Sequence, residues 1–130
     1  MSATFDLGTI DITPKLQDDV KIINSYSDSY FVVSGEKFEH DIIITEKKCF
    51  LYEGMKDIEK ILSSSDNILI LFGSNEEKNR SEFLALIQKS SNNLLTNIFF
   101  EAMTMQSAAR TYNVLISEGR SVLAILQLDK

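Results

Sequence analysis

Few side chains in this sequence are placed where chemistry would need them. The single histidine, His40, lies between Glu39 and Asp41, a run of three potential metal ligands. Consecutive residues of an extended strand point to opposite faces, so these three do not converge on one ion. A histidine in solvent at a hairpin or strand edge is the simpler reading. A serine or thiol nucleophile would have to borrow His40 as its base, and no serine sits in a Gly-x-Ser-x-Gly elbow. Cys49 is the one cysteine, which leaves no internal disulfide and no cysteine zinc site. Its neighbours Phe50 and Leu51 suggest a thiol buried on a strand.

Two further places could bind an anion. The run Leu71-Phe-Gly-Ser-Asn-Glu-Glu77 reads as strand, loop and helix start, the junction at which α/β proteins hold phosphate. It has one glycine, lacks the P-loop lysine, and puts Glu76 and Glu77 in the first turn, where they complement the helix dipole and repel an anion. An ordinary cap is the better reading, with Ser74 accepting the amide three residues on and Glu77 reaching back. Arg110 lies near the inner-face boundary of a helix and Arg120 just beyond its glycine stop. They could clamp a carboxylate or an acidic partner, or simply satisfy carbonyls and surface acids such as Glu118.

These residues need elements to position them. Residues 1–21 read as an N-terminal arm containing the only proline, Pro14, with a short edge pairing suggested by Ile10 and Ile12. Residues 22–130 read as a single α/β domain. Tyr30–Ser34, a turn at Gly35–Lys37, a return from Phe38 through Ile42–Thr45, and Cys49–Tyr52 predict an antiparallel meander. Ile42, Ile43 and Ile44 give the middle strand apolar residues on both faces, which makes it central. Met55, Ile58, Ile61 and Leu62 follow at helical spacing, closed by Ser63–Ser65.

The second half alternates. Asn67–Phe72 is a continuous apolar strand, covered on both faces. A helix from about Asn75 to Ser91 carries a stripe of Phe83, Leu84 and Ile87, with Asn92-Asn93 as its stop. Asn97–Phe100 is a strand. A helix from about Met105 to Ser117 buries Ala108, Ala109, Tyr112, Leu115 and Ile116, with Thr104 as N-cap and Gly119 as the left-handed C-terminal cap. Val122–Leu128 is the final strand. The fold class is α/β, three layers with a central mixed β-sheet, an N-terminal antiparallel meander and helices packed on the sheet.

Composition narrows the partners. The chain has 130 residues with 13 Lys+Arg against 19 Asp+Glu, a net charge of −6. Nucleic acid or an anionic membrane surface needs clustered positive charge, which is not concentrated anywhere. No run approaches the ~20 apolar residues of a membrane span. The first fourteen residues contain no arginine and read as neither a secretory signal nor a transit peptide, so a cytoplasmic location is expected. No cofactor or metal is expected.

Ile23-Asn-Ser-Tyr26, Tyr30–Gly35 with Phe38, Ile42–Ile44, Leu69–Gly73, and then Ala108, Arg110–Leu115, Glu118-Gly-Arg120 and Val122–Leu126 stand in an order that resembles the family catalogued as domain of unknown function 498. That family includes the third assembly factor of mitochondrial respiratory complex I and bacterial relatives. The likeness spans about Ile22 to Leu128, and Arg-Thr-Tyr-Asn…Glu-Gly-Arg is its specific part. It implies a three-layer α/β fold with a mixed sheet and no established catalytic residues. In the mitochondrial branch it implies pairing with another assembly factor. The sequence departs from the family pattern at Ser27, at Ser74-Asn75 and at Met105-Gln106, and it lacks a tryptophan after the meander. Loss of glycine at these positions leaves less room for a ligand against the backbone.

Two functions follow as expectations. The first is a non-catalytic protein-interaction or assembly domain, linked through the resemblance to respiratory complex biogenesis. The second is a binder of a small anionic or carbonyl ligand, or an enzyme, with a pocket near Gly73, Thr104 and Arg110. The residues that would serve a ligand or partner are Gly73, Ser74, Thr104, Arg110, Asn113 and Arg120. Self-association through a sheet edge or helix face is a third expectation.

Overall fold

The computed structural model describes residues 10–12, 20–54, 56–57, 69–91 and 99–129. Within them β1 (Ile10–Asp11), β2 (Ile23–Tyr26), β3 (Phe31–Val33) and β4 (Glu36–Phe38) form an antiparallel sheet in that order. β5 (Ile42–Thr45), β6 (Cys49–Leu51), β7 (Leu69–Gly73), β8 (Phe99–Met103) and β9 (Val122–Leu126) form a second sheet in the order β6-β5-β9-β7-β8. Two helices, α1 (Glu77–Ser91) and α2 (Met105–Ser117), separate β7 from β8 and β8 from β9.

The meander is therefore split between two sheets. Phe38 and Ile42 do not share a strand: the chain leaves the first sheet after β4 and enters the second at β5, with Glu39, His40 and Asp41 between them. The turn between β3 and β4 is Ser34-Gly35, both at positive φ (47° and 86°), so Glu36 and Lys37 belong to β4. Two central residues at positive φ match the right-handed twist of the flanking strands. β5 is interior, between β6 and β9, but the middle of its sheet is β9. The edge pairing in the arm exists as β1, with Ile10 opposite Tyr26. Residues 1–9 and 13–19 of the arm, the Met55–Leu62 helix beyond residues 56–57 with its Ser63–Ser65 close, residues 67–68, the Asn92-Asn93 stop and residues 97–98 lie outside the described residues.

Alternation along the strands sorts the core into two layers. Ile42, Ile44, Leu71, Ala124 and Leu126 face α2 and the first sheet, meeting Met105, Ala108, Ala109 and Tyr112 as well as Ile23, Phe31 and Val33. Ile43, Ile70, Phe72, Leu123 and Ile125 face the other way, onto Phe83 and Ile87 of α1. Phe72 and Phe83 stack with centroids 4.5 Å apart and planes 9° from parallel. Leu84 lies off the buried stripe at 39% exposure: Phe83 and Ile87, one turn apart, point inward, while a neighbour rotates about 100° away. β8 extends to Met103, further along the chain than Asn97–Phe100 would place it.

The opposite placement of the helices follows from chirality. β7 is parallel to both β8 and β9 and lies between them. The step from β7 to β8 through α1 moves in one direction across the sheet, and the step from β8 to β9 through α2 moves back. With a right-handed crossover each time, reversing direction puts α2 on the opposite face from α1.

The approach of α2 to the sheet depends on Gly73. A methyl group there would meet the Ala108 Cβ at 2.5 Å, a Leu126 methyl at 2.9 Å and the Met105 Cα at 3.1 Å. Real carbon atoms do not come so close, so helix and strand would have to separate. Gly73→Ala is expected to lower stability by about 1–3 kcal/mol, the usual cost of overpacking. Urea unfolding checks this, and an unchanged midpoint would show that α2 can shift at little cost.

Candidate functional site

In open α/β sheets, ligands settle beyond the carboxyl ends of parallel strands, where the direction of winding reverses. Here that place is the end of β7, with Gly73, Ser74 and Thr104 around it. The protein's own groups occupy it. The Ser74 amide donates to the Met103 carbonyl at 3.0 Å, and the Gln127 amide to the Gly73 carbonyl at 2.8 Å. Asn79 Nδ2 donates to Gln127 Oε1 at 3.0 Å. Arg80 donates to the Ser74 carbonyl at 2.7 Å.

The helix starts, which would otherwise attract an anion, are met in part by the protein's own oxygens. Ser74 Oγ accepts the amide of Glu76 at 3.2 Å, two residues on. The turn is thus tighter than the expected three-residue cap, and α1 begins at Glu77 rather than near Asn75. At α2 the Asn75 Oδ1 accepts the Met105 amide at 3.0 Å, and the Thr104 Oγ1 accepts the Ser107 amide at 3.3 Å. Thr104 is the N-cap of α2. Two orphan amides are thereby met by side chains from within the fold.

At the other end of α2, Gly119 takes φ 78° and its amide donates to the Ile116 carbonyl at 3.0 Å. The Arg120 amide donates to the Leu115 carbonyl at 3.0 Å. This pair of bonds is a Schellman stop. The Arg120 side chain is exposed, so its backbone is what the stop uses.

Asn113 sits on the inner face of α2 and is 4% exposed. Its Oδ1 accepts the Ile23 amide at 3.0 Å, while Nδ2 donates to the Ile23 carbonyl at 2.8 Å and to the Ile12 carbonyl at 3.1 Å. The amide group pairs with Ile23 as a neighbouring strand would and also binds the arm. From the preceding residue, the Tyr112 hydroxyl donates to the Lys21 carbonyl at 2.8 Å.

Arg110 lies on the outward face of the same helix. With Val114 and Ser117, at steps of four and three residues, it lines a groove of about 320 Å³, closed by Ile12 and Asn113. Val114 is 54% exposed. Gly73, Ser74, Thr104 and Arg120 do not line it, so the six candidate residues divide among three places. Val114 was missed by inner-face spacing because it faces outward, and Ile12 because the groove joins segments about a hundred residues apart.

The remaining chemistry is quiet. His40 Nδ1 lies 2.9 Å from the Asp41 carbonyl, and its ring packs edge-on to Phe38. Among the described residues, no group of three His, Cys, Asp or Glu could hold a metal ion. The Cys49 thiol is pushed up to about 12, chiefly by burial, with Lys21 opposing the rise and Glu36 adding a still smaller push upward. Burial, with Asp57 and Asp41, pushes Tyr52 up to about 12. Tyr112 is also raised, first by burial.

The sequence matches the family model described as "Protein of unknown function (DUF498/DUF598)" over residues 23–127. The chain belongs to this family. No curated protein matches it. Among solved structures it is similar to one described as an outer membrane protein from Bartonella henselae, at 24% identity and TM-score 0.62, covering 84% of this chain and 95% of that one. A Xanthomonas campestris protein matches at 20% identity and TM-score 0.62, covering 92% and 93%. A Mth938-like domain from Bordetella pertussis matches at 18% and 0.56, over the same shares. At these identities the likeness concerns the fold. No described helix of this DUF498/DUF598 domain is long and apolar enough to cross a membrane.

Two outcomes test this account. Asn113→Leu leaves both polar groups of Ile23 unpaired and should cost about 1–3 kcal/mol for each buried group left unsatisfied, measured by urea unfolding. The raised thiol and phenols mean that the native state keeps protons the unfolded chain releases. Their stabilising contribution is complete below the ordinary cysteine value of 9.0 and is lost as pH climbs toward about 12. Iodoacetamide should therefore label Cys49 far more slowly in the native protein than in urea at pH 8. Equal rates would mean that the thiol is open to solvent.

Proposed function

We propose that this DUF498/DUF598 domain works by binding another protein through the outward stripe of α2, without catalysis of its own. The observation that carries the reading is the groove beside Arg110, Val114, Ser117 and Ile12, apolar with one exposed cation at its rim. The polar side chains that sequence alone would offer to a ligand, Ser74, Thr104 and Asn113, are engaged in hydrogen bonds inside the fold. An exposed valine beside a guanidinium suits a partner segment that presents an apolar side chain next to a carboxylate. A cytoplasmic location belongs to the same reading.

The finer form of this proposal takes its partner from the family resemblance: another factor in the assembly of a membrane respiratory complex. Its support is the likeness of the Arg110–Leu115 and Glu118–Arg120 run to that family, whose mitochondrial member pairs with a second assembly factor. The Arg110 side chain remains available for that role. Among the described residues it makes no ion pair, whereas Lys37 and Glu39 approach to 4.0 Å.

The test uses the tagged full chain purified from its native cell, beside Arg110→Glu and Val114→Asp variants. Both substitutions are at exposed positions and should leave stability within about 0.5 kcal/mol. A specific protein should co-purify with the wild type and be lost with either variant. A partner retained by both variants would place the interface elsewhere. No partner, together with normal respiratory complex levels after deletion, would sink the assembly reading.

A further inference from the structure

Among the described residues the five-stranded sheet ends at β6 and β8, and the first sheet at β1 and β4. A sheet edge presents unpaired amides and carbonyls that can pair with another strand, and native proteins usually blunt it with charge. The longer edges here differ in this respect. An antiparallel copy laid along the whole of β8 would put Glu101 opposite itself. One laid along β4 would put Lys37 opposite itself. Like charges directly opposed are destabilising. β6 has no such defence: Cys49, Phe50 and Leu51 are uncharged, and the last two are 44% and 43% exposed.

The hydrogen-bond pattern shows which groups of β6 face outward. The Thr45 amide donates to the Lys48 carbonyl at 2.8 Å, and the Tyr52 amide to the Asp41 carbonyl at 2.9 Å. Paired positions alternate along an antiparallel ladder, and the register sets Ile43 opposite Phe50. The main-chain groups of Phe50 therefore turn toward β5, and those of Cys49 and Leu51 turn toward the open side. A strand pairing there in antiparallel sense would bond to Cys49 and Leu51 and cross Phe50 at a position where side chains come closest.

We propose that β6 is the interface of a two-fold homodimer, pairing antiparallel with β6 of a second copy about an axis through Phe50. This register is self-complementary, as a two-fold interface must be. The outward groups of Cys49 meet those of Leu51 in the other copy, and Phe50 meets Phe50. The charge at the ends also fits. Lys47 and Lys48, against the single Glu46, lie at one end of β6 and Glu53 at the other, all of them exposed. Reversing one copy sets the lysine end beside Glu53. The paired strands would join two five-stranded sheets into one of ten. A single strand pair covers less than the ~800 Å² per partner of a standard interface, so association depends on concentration. This surface shares no residue with the α2 groove, and its test is separate from that reading.

Sedimentation equilibrium of the full chain should show a reversible monomer–dimer equilibrium. Leu51→Pro removes an outward amide without touching the bonds to β5 and should raise the dissociation constant about tenfold or more. Glu53→Lys, on an exposed side chain that does not bear on folding, should weaken the dimer. Adding Lys47→Glu and Lys48→Glu should restore it. A wild-type chain that stays monomeric up to about 1 mM, a scale that excludes even weak pairing, would overturn the proposal and leave the edge to a strand of another protein. A dimer unaffected by both Leu51→Pro and Glu53→Lys would overturn it too, because another face would then be holding the copies together.

Discussion

Asn113 ties the two sheets of this domain to each other from the buried face of α2, alongside the bond of the Lys21 amide to the Glu46 carbonyl at 2.7 Å. Its buried amide gives Ile23 a donor and an acceptor at 2.8 and 3.0 Å, and so ties β2 to a helix that packs on the other sheet. Apolar burial alone would leave β2 free to slide, because contact between aliphatic side chains is not directional. The Asn113 bonds, with the Tyr112 bond to the Lys21 carbonyl, set the register between layers. They also explain how a polar residue can lie on the inner face of α2 at little net cost: its polar atoms have partners within the fold.

The position of Asn113 depends in turn on both ends of its helix and on the surface beneath it. Thr104 fixes the first turn and the Gly119 stop the last. Gly73 and Ala108 let the helix axis come close to β7. A larger residue at either place would lift α2 away from the sheet and draw Asn113 off Ile23. The family-specific run from Arg110 to Arg120 is thus largely a set of instructions for placing one helix.

Features specified locally were legible in the sequence. Thr104, Gly119, the buried faces of Ala108, Ala109, Tyr112 and Ile116, and the doubly covered strand β7 follow from spacing and backbone need. Features that depend on distant contacts were not. Alternation identified Phe38 and Ile42 as strand residues but could not show that they join different sheets, because pairing partners leave no local trace. Asn113 resembled a binding residue because the backbone it meets lies 90 residues away. Gly73 resembled a ligand-facing glycine, and a glycine that lets a helix approach a strand looks the same in sequence. The groove beside Arg110 includes Ile12, which nothing in the α2 sequence announces.

The closed crevice at the end of β7 bears on what kind of recognition remains. A ligand of an α/β domain is normally met there by loop amides and helix N-termini. In this chain Asn75, Ser74 and Thr104 supply the oxygens that a bound anion would otherwise supply, and Gln127 closes over the Gly73 carbonyl. An incoming anion would have to displace bonds already made in place, and would meet Glu76 and Glu77 as it did so. The outward stripe of α2 and the side of β6 present no such competition. Both are exposed and lightly charged, with apolar groups that gain by leaving water. That arrangement is the physical basis for the proposal that the domain binds partners across its surface rather than ligands within it.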